Sequence, residues 1–323
     1  MSTVTGDSVP YDRTAQRPAF ETLPEFVRDT IRAALGDEII SVALAGSGFT
    51  SGFAGVVTAA NGRSLFVKAA GPDKPSVLGS YRREREINAA LPAGLPAPGL
   101  EFATELGGWI VLGFATVVGR APALPMSPAD VTSMLDAWAR AAELLAPVSD
   151  AFRSVGIRTL EEDAGDQFHG FAEMASGLST PAPGVPVERL ADLAAMEAGV
   201  FDAVRADAVT HGDLRPDNMI VTGSGSLICD WNWPTIAAPW FDTVFFLVTA
   251  RGDGHDADSL FFAHPTAAGV TGDQLDAVLA AAAGYYLDRA RRDPFPGSSP
   301  HLQPHRRWSG EAALAWLASR HGW

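Results

Sequence analysis

The chain has 323 residues, with 24 Lys and Arg against 38 Asp and Glu, giving a formal net charge of −14. Its 47% apolar content supplies a large core, which excludes global disorder, and its length predicts two lobes or domains. The acidic balance argues against nucleic-acid binding, the single Cys229 against disulfides and cysteine metal cages, and the lack of a long apolar run against a membrane span. Residues 1–17 lack the apolar stretch of a signal peptide, so a cytoplasmic protein is expected.

Residues 1–22 form a lead-in segment. A helix is predicted over 23–35, with Phe26, Val27, Ile31, Ala34 and Leu35 on one stripe. A strand over 38–45 follows, then strands over 53–60 and 63–69 flanking Asn61-Gly62, a hairpin signal that calls for positive φ at both residues. A helix over 81–91 precedes strands over 100–105 and 109–114. Residues 23–114 are therefore expected as a small antiparallel β-rich lobe, and 115–120 as a connector. Beyond it, 121–323 is mainly helical. Ser127-Pro128-Ala129-Asp130 starts one helix, with a serine cap, an early proline and an acid at N3. One or two short helices are expected within 158–178, and further helices over 187–206, 271–292 and 310–320. Two short strands, 219–222 and 226–229, interrupt them. The expected fold class is α+β and bilobal, with a ligand cleft between the lobes.

The chemistry concentrates in His211-Gly212-Asp213-Leu214-Arg215-Pro216-Asp217-Asn218, followed by a hairpin and Cys229-Asp230-Trp231. Asn218 stands at the start of the first strand, and the hairpin returns the chain so that Asp230 emerges beside it. Two carboxylates and a carboxamide thus converge. Asp and Asn oxygens are hard ligands suited to Mg²⁺, which needs few protein ligands when phosphate supplies the rest. The remaining carboxylate, Asp213, is free to orient a hydroxyl and take its proton. A polar loop of Asx-turns is the bland alternative, and the presence of all three groups at one hairpin end weighs against it. His211 is expected to brace the loop.

This run, with Asp230-Trp231 after it, resembles the aminoglycoside phosphotransferase and choline kinase family, whose fold is similar to that of protein kinases. The resemblance implies a protein-kinase-like fold, ATP as donor, Asp213 as catalytic residue, and Asn218 and Asp230 as Mg²⁺ ligands. Kinase-type sites also need a strand lysine for the phosphates and a helix glutamate to fix it. Lys68 sits in the apolar run Phe66-Val67-Lys68-Ala69. Glu84 and Glu86 are the candidate partners. Glu84 shares a helical face with Tyr81, Ile87 and Leu91, whereas Glu86 suits an i,i+4 surface pair with Arg82. The family's spacing ahead of Leu95-Pro96-Ala97-Pro98 selects Glu84.

The stretch Gly46-Ser47-Gly48-Phe49-Thr50-Ser51-Gly52 lies between strands, which excludes a dinucleotide-binding turn, and no Walker-type loop is present. It suits a hairpin covering phosphates with backbone N–H groups, with Ser47 and Gly48 as contacts. The resemblance further implies that backbone groups of Ala115 and Val117 hold adenine and that Asp242 braces the catalytic loop.

The expected function is ATP-dependent phosphorylation of a small hydroxyl acceptor. Acidic groups at Glu161, Glu162, Asp163 and Asp166 and at Asp253, Asp256 and Asp258 favour an amine-bearing one, such as an aminoglycoside, amino sugar or amino alcohol, if they border the cleft. An inactive nucleotide-binding module and a kinase for a neutral sugar or macrolide are the alternatives. A protein kinase is disfavoured by glycine rather than arginine at 212.

Overall fold

The computed structural model describes residue 10, residues 13–294 and residues 297–323. Of the lead-in, residue 10 and residues 13–22 are described, and within them Thr14 and Phe20 are buried, Phe20 in the core beneath the sheet. Helix α1 (Glu25–Leu35) follows Pro24 at its N-cap and stops at Gly36, whose φ of 80° suits glycine. Val27, Ile31 and Leu35 are buried, while Phe26 is 40% exposed.

Strands β1 (Ile39–Leu44), β2 (Phe53–Ala59) and β3 (Ser64–Ala70) form a meander. At the β2–β3 turn only Gly62 takes positive φ. Asn61 instead donates its side-chain amide to the Leu35 carbonyl at 3.0 Å and accepts from the Arg63 amide at 2.9 Å, a local bond that replaces the expected turn geometry. Helix α2 (Pro75–Ala90) begins ahead of the expected residue 81 because Pro75 is compatible with a first helical turn. Strands β4 (Leu100–Leu106) and β5 (Trp109–Ala115) complete a five-stranded antiparallel sheet of order β1-β2-β3-β5-β4. Lys68 lies opposite Leu112, in the middle of the sheet.

After β5, Arg120 and Val221 exchange backbone hydrogen bonds of 2.9 Å in both directions, and the Arg120 guanidinium meets Asp130 at 2.6 Å. The helical lobe then runs through α3 (Pro128–Leu144), with Ser127 accepting from the Asp130 amide, and the short α4 (Asp150–Ser154), α5 (Leu160–Ala164) and α6 (Gly170–Ala175). The helix expected over 187–206 is divided into α7 (Leu190–Glu197) and α8 (Val200–Ala203) around Gly199. A hairpin of β6 (Met219–Thr222) and β7 (Gly225–Ile228) follows.

Helix α9 (Trp240–Gly252) was not expected. It is buried on nearly every side, so it has no apolar stripe to detect. Then come α10 (Ala257–Ala263), α11 (Gly272–Arg289) and α12 (Leu302–His321). Helix α12 includes Pro304, which sequence reasoning takes as a helix breaker. In the first turn its missing N–H has no intrahelical partner to lose. Among the described residues no helix is long and apolar enough to cross a membrane.

Candidate active site

The β6–β7 hairpin organises the site. Met219 pairs with Ile228, and the Cys229 amide donates to the Asn218 carbonyl at 2.8 Å, which brings Asp230 next to Asn218. Asp230 has φ 67°, the one non-glycine positive value among the described residues. Gly212, at φ 79°, lies so close to the Trp233 carbonyl that a Cβ would collide with it. Asp242, in the first turn of α9, accepts from the His211 amide at 2.5 Å and the Gly212 amide at 3.1 Å. Burial pushes its carboxyl up to about 7 against the pull of those amides. The His211 ring faces the Cys229 carbonyl at 2.8 Å through Nε2, and its Nδ1 accepts from the Asp213 amide at 3.3 Å. That pattern requires a neutral ring protonated on Nε2, and burial lowers its pKa to about 4. The expected bracing parts of His211 and Asp242 are thus visible in the bonds.

Asp213 is held at both oxygens. Arg215 Nη1 donates to Oδ1 at 2.6 Å and Asn218 Nδ2 to Oδ2 at 3.0 Å, while the same amide also reaches the Asp213 carbonyl at 2.8 Å. Arg215 divides its charge, binding Asp217 at 3.0 and 3.2 Å. Burial pushes the Asp213 carboxyl up to about 7, and Arg215 opposes it. Sequence reasoning gave Arg215 no role, although its place two residues after Asp213 was the available signal.

On the sheet side, Lys68 Nζ meets the two Glu84 oxygens at 2.7 and 2.9 Å and Asp230 Oδ1 at 2.5 Å. Burial works against this ammonium, but Asp230 and Glu84 hold its pKa above the ordinary lysine value. Burial pushes Glu84 up to about 7 while Lys68 pulls it down. Burial likewise acts to raise Asp230, yet Lys68 prevails and lowers it. Glu86 points elsewhere, 3.4 Å from Arg83, and its expected partner Arg82 binds Glu105 instead.

These groups border a cavity of about 270 Å³ lined by Lys68, Glu84, Asn218 and Asp230, by Ser47 and Gly48 from the β1–β2 loop, and by Ala115 and Val117 at the connector. Asp213 does not line the cavity; it is linked to the wall through its hydrogen bond from Asn218. The β1–β2 loop departs from expectation. The Gly48 amide is not free, donating to Thr14 Oγ1 at 3.1 Å, and the carbonyls of Ser47, Thr50 and Gly52 accept from Arg17. Arg17 was missed because it stands some thirty residues upstream, outside any motif. None of Glu161, Glu162, Asp163, Asp166, Asp253, Asp256 or Asp258 lines the cavity. Glu162 closes a capping box with Thr159, Asp163 pairs with Arg158, Asp253 accepts from the Met126 amide, Asp256 caps α10, and Asp258 pairs with Arg320. The charge of these five is spent on local structure.

A metal fits the donor set by its chemistry. Asn218 Oδ1 and Asp230 Oδ2 carry no hydrogen bond among the described residues, and both are hard oxygens on residues of the cavity wall. No cluster of three or more His, Cys, Asp or Glu with metal-holding geometry occurs among the described residues.

A family model described as "Phosphotransferase enzyme family" matches residues 47–295. The chain belongs to this family. The phosphotransferase has the kinase-like bilobal α+β fold seen in solved structures. An aminoglycoside phosphotransferase from Alicyclobacillus acidocaldarius superimposes with a TM-score of 0.56 at 16% identity, covering 90% of this chain and 95% of that one. The GDP and kanamycin complex of APH(2″)-IIia gives 0.62 at 14%, covering 93% and 99%. The amicoumacin kinase hAmiN, in complex with AMP-PNP and Ca²⁺, gives 0.54 at 11%, covering 90% and 94%. At these identities the likeness is one of fold. A stretch of 47 residues is 38% identical to cyclin-dependent kinase 4 of Mus musculus, spanning 15% of this chain and 16% of that protein.

Proposed function

We propose that the phosphotransferase is a cytoplasmic, ATP-dependent small-molecule kinase that moves the γ-phosphate to a hydroxyl of a small acceptor. The observation that carries this is the meeting of the Lys68–Glu84 pair with Asp230 and Asn218 on one cavity, with Asp213 linked to its wall through Asn218. Relatives of the same fold crystallised with GDP or AMP-PNP support a nucleotide in that cavity.

In this reading Asp213 takes the proton of the acceptor hydroxyl at its carboxylate. Asn218 and Arg215 fix the orientation of that carboxylate, and the neutral His211 ring and Asp242 hold the loop beneath it. Lys68, aligned by Glu84, binds the donor's phosphates. Ser47 and Gly48 form part of the wall beside them, and the backbone at Ala115 and Val117 takes the adenine. Asn218 and Asp230 would hold Mg²⁺, which supplies neutralisation of charge on the phosphates. Five of the seven acids in the two clusters are committed to local bonds and none of the seven lines this cavity, so both amine-bearing and neutral alcohols belong among the acceptors to be tried.

The test is ADP release, coupled to a spectrophotometric readout, over a panel of aminoglycosides, amino alcohols, neutral sugars and macrolides. Acceptor-dependent release that vanishes in Asp213→Asn supports the reading. Absence of both nucleotide binding and turnover across the panel overturns it.

A further inference from the structure

Lys68 is a cation facing two carboxylates, Glu84 and Asp230, so its charge is already compensated before any nucleotide arrives. Arg17 differs. Its Nη1 donates to the Thr50 carbonyl, Thr50 Oγ1 and the Gly52 carbonyl, each at 3.1 Å, and its Nη2 to the Ser47 carbonyl at 2.9 Å. All four acceptors are neutral, and among the described residues no carboxylate lies within ion-pair distance of it. Its Nε is buried without a hydrogen-bond partner. The guanidinium lies on the cavity wall together with Lys68 and Asp230. Gly48 makes room for it: a Cβ there would stand 2.7 Å from Arg17 Nη2.

The loop's polarity has been reversed around this side chain. A phosphate cradle made of backbone would turn amides inward. Here carbonyls of Ser47, Thr50 and Gly52 turn towards Arg17, and the Gly48 amide is taken by Thr14. What the loop presents to the cavity is therefore a guanidinium, planar and permanently charged, the side chain best shaped for phosphate oxygens.

We infer that Arg17 is a phosphate-binding residue of the nucleotide site, supplied by a segment that precedes the family-matched span and standing in for the loop amides. The inference rests on the kinase reading above and adds to it a second cation that recognises the donor's phosphates. Affinity should then grow with the number of phosphates through Arg17, whereas the nucleoside moiety is indifferent to it.

The experiment titrates ATP, ADP and adenosine into the full chain and into Arg17→Met and Arg17→Lys, at low and high salt. Arg17→Met is expected to weaken ATP roughly 10- to 100-fold, the worth of a charge-assisted contact. ADP should weaken less and adenosine hardly at all. The salt dependence of ATP binding should flatten in Arg17→Met. Arg17→Lys, which keeps the charge but cannot span the same four acceptors, should recover most of the ATP affinity. Equal losses for ATP and adenosine, or an unaltered salt dependence, would make Arg17 a mere brace and overturn the inference. So would tighter ATP binding in Arg17→Met, which would make it a plug. A wild-type chain that binds none of the three ligands overturns the kinase reading itself, and this inference with it.

Discussion

Two loops face each other across the cavity, and they are held in opposite ways. The 211–218 loop before β6 is fixed within the helical lobe, by its own residues and by later ones: Asn218 bonds Asp213, His211 bonds Cys229 and the Asp213 amide, and Asp242 bonds the His211 and Gly212 amides. The β1–β2 loop is fixed from far away. Arg17 and Thr14 hold it on one side, and on the other Phe49 stacks on His305 with ring centroids 5.0 Å apart and packs on Leu302, while Ser299 bonds both Phe49 and Thr14 carbonyls. Arg215 spans the two, pairing with Asp213 and lying 5.3 Å from the Phe49 ring. A loop braced within one lobe keeps Asp213 and Asn218 in fixed register. A loop tied to both ends of the chain couples its part of the cavity wall to the packing of those ends.

The contrast can be broken most sharply at Asp213. Asp213→Asn should lower kcat by about 10²–10⁴-fold while leaving ATP affinity within a few-fold, because the loop keeps its other bonds; steady-state kinetics with parallel ATP titration checks both. The pH profile comes next. Burial raises the Asp213 carboxyl to about 7, and the base must be ionised, so kcat/KM should fall about tenfold per unit below pH 7 and level off above it. Stability runs the other way. An acid whose folded pKa is raised destabilises the fold as it ionises, so this contribution is lost as pH climbs from about 4 through 7. Asp213→Asn should therefore melt no lower than wild type at pH 8, and thermal melts at pH 5 and 8 test the sign.

Removing the brace has a smaller effect. Asp242→Ala orphans two amides but also relieves a buried carboxylate, so a net loss of about 1–3 kcal/mol is expected, seen as a lower melting temperature together with reduced kcat. An unchanged midpoint would mean that the catalytic loop holds itself without α9. Least of all, Phe49→Ala should raise the KM for ATP by less than about tenfold, roughly 1 kcal/mol, with kcat unaltered. A larger effect on kcat would show that the two loops act as one unit.

This difference also explains what was legible in the sequence. Asp213, Asn218 and Asp230 stand within eighteen residues, and their convergence follows from one hairpin, a relation that pattern and strand geometry disclose. Lys68 and Glu84 were readable because each carries a rule of its own, a cation in an apolar strand and an acid on the buried face of α2. Arg17 has neither a motif nor a period, and only the folded chain brings it to Ser47 and Gly52. Helix α9 escaped because burial on all sides erases the periodicity on which helix prediction depends. The acidic clusters show a related limit. Composition counts charges but cannot say that Asp163 and Asp258 are already paired with arginines.

The connector carries a further consequence. Its far end is riveted to the β6–β7 hairpin through the two Arg120–Val221 bonds, and Gly119 passes so near Ile220 and Val221 that a Cβ would stand 2.6–2.7 Å from them. Just before Gly119, Thr116 and Val117 line the cavity. In the proposed reading a nucleotide held at that strip would also brace the joint between the sheet and the hairpin, so its release and any parting of the two would be coupled.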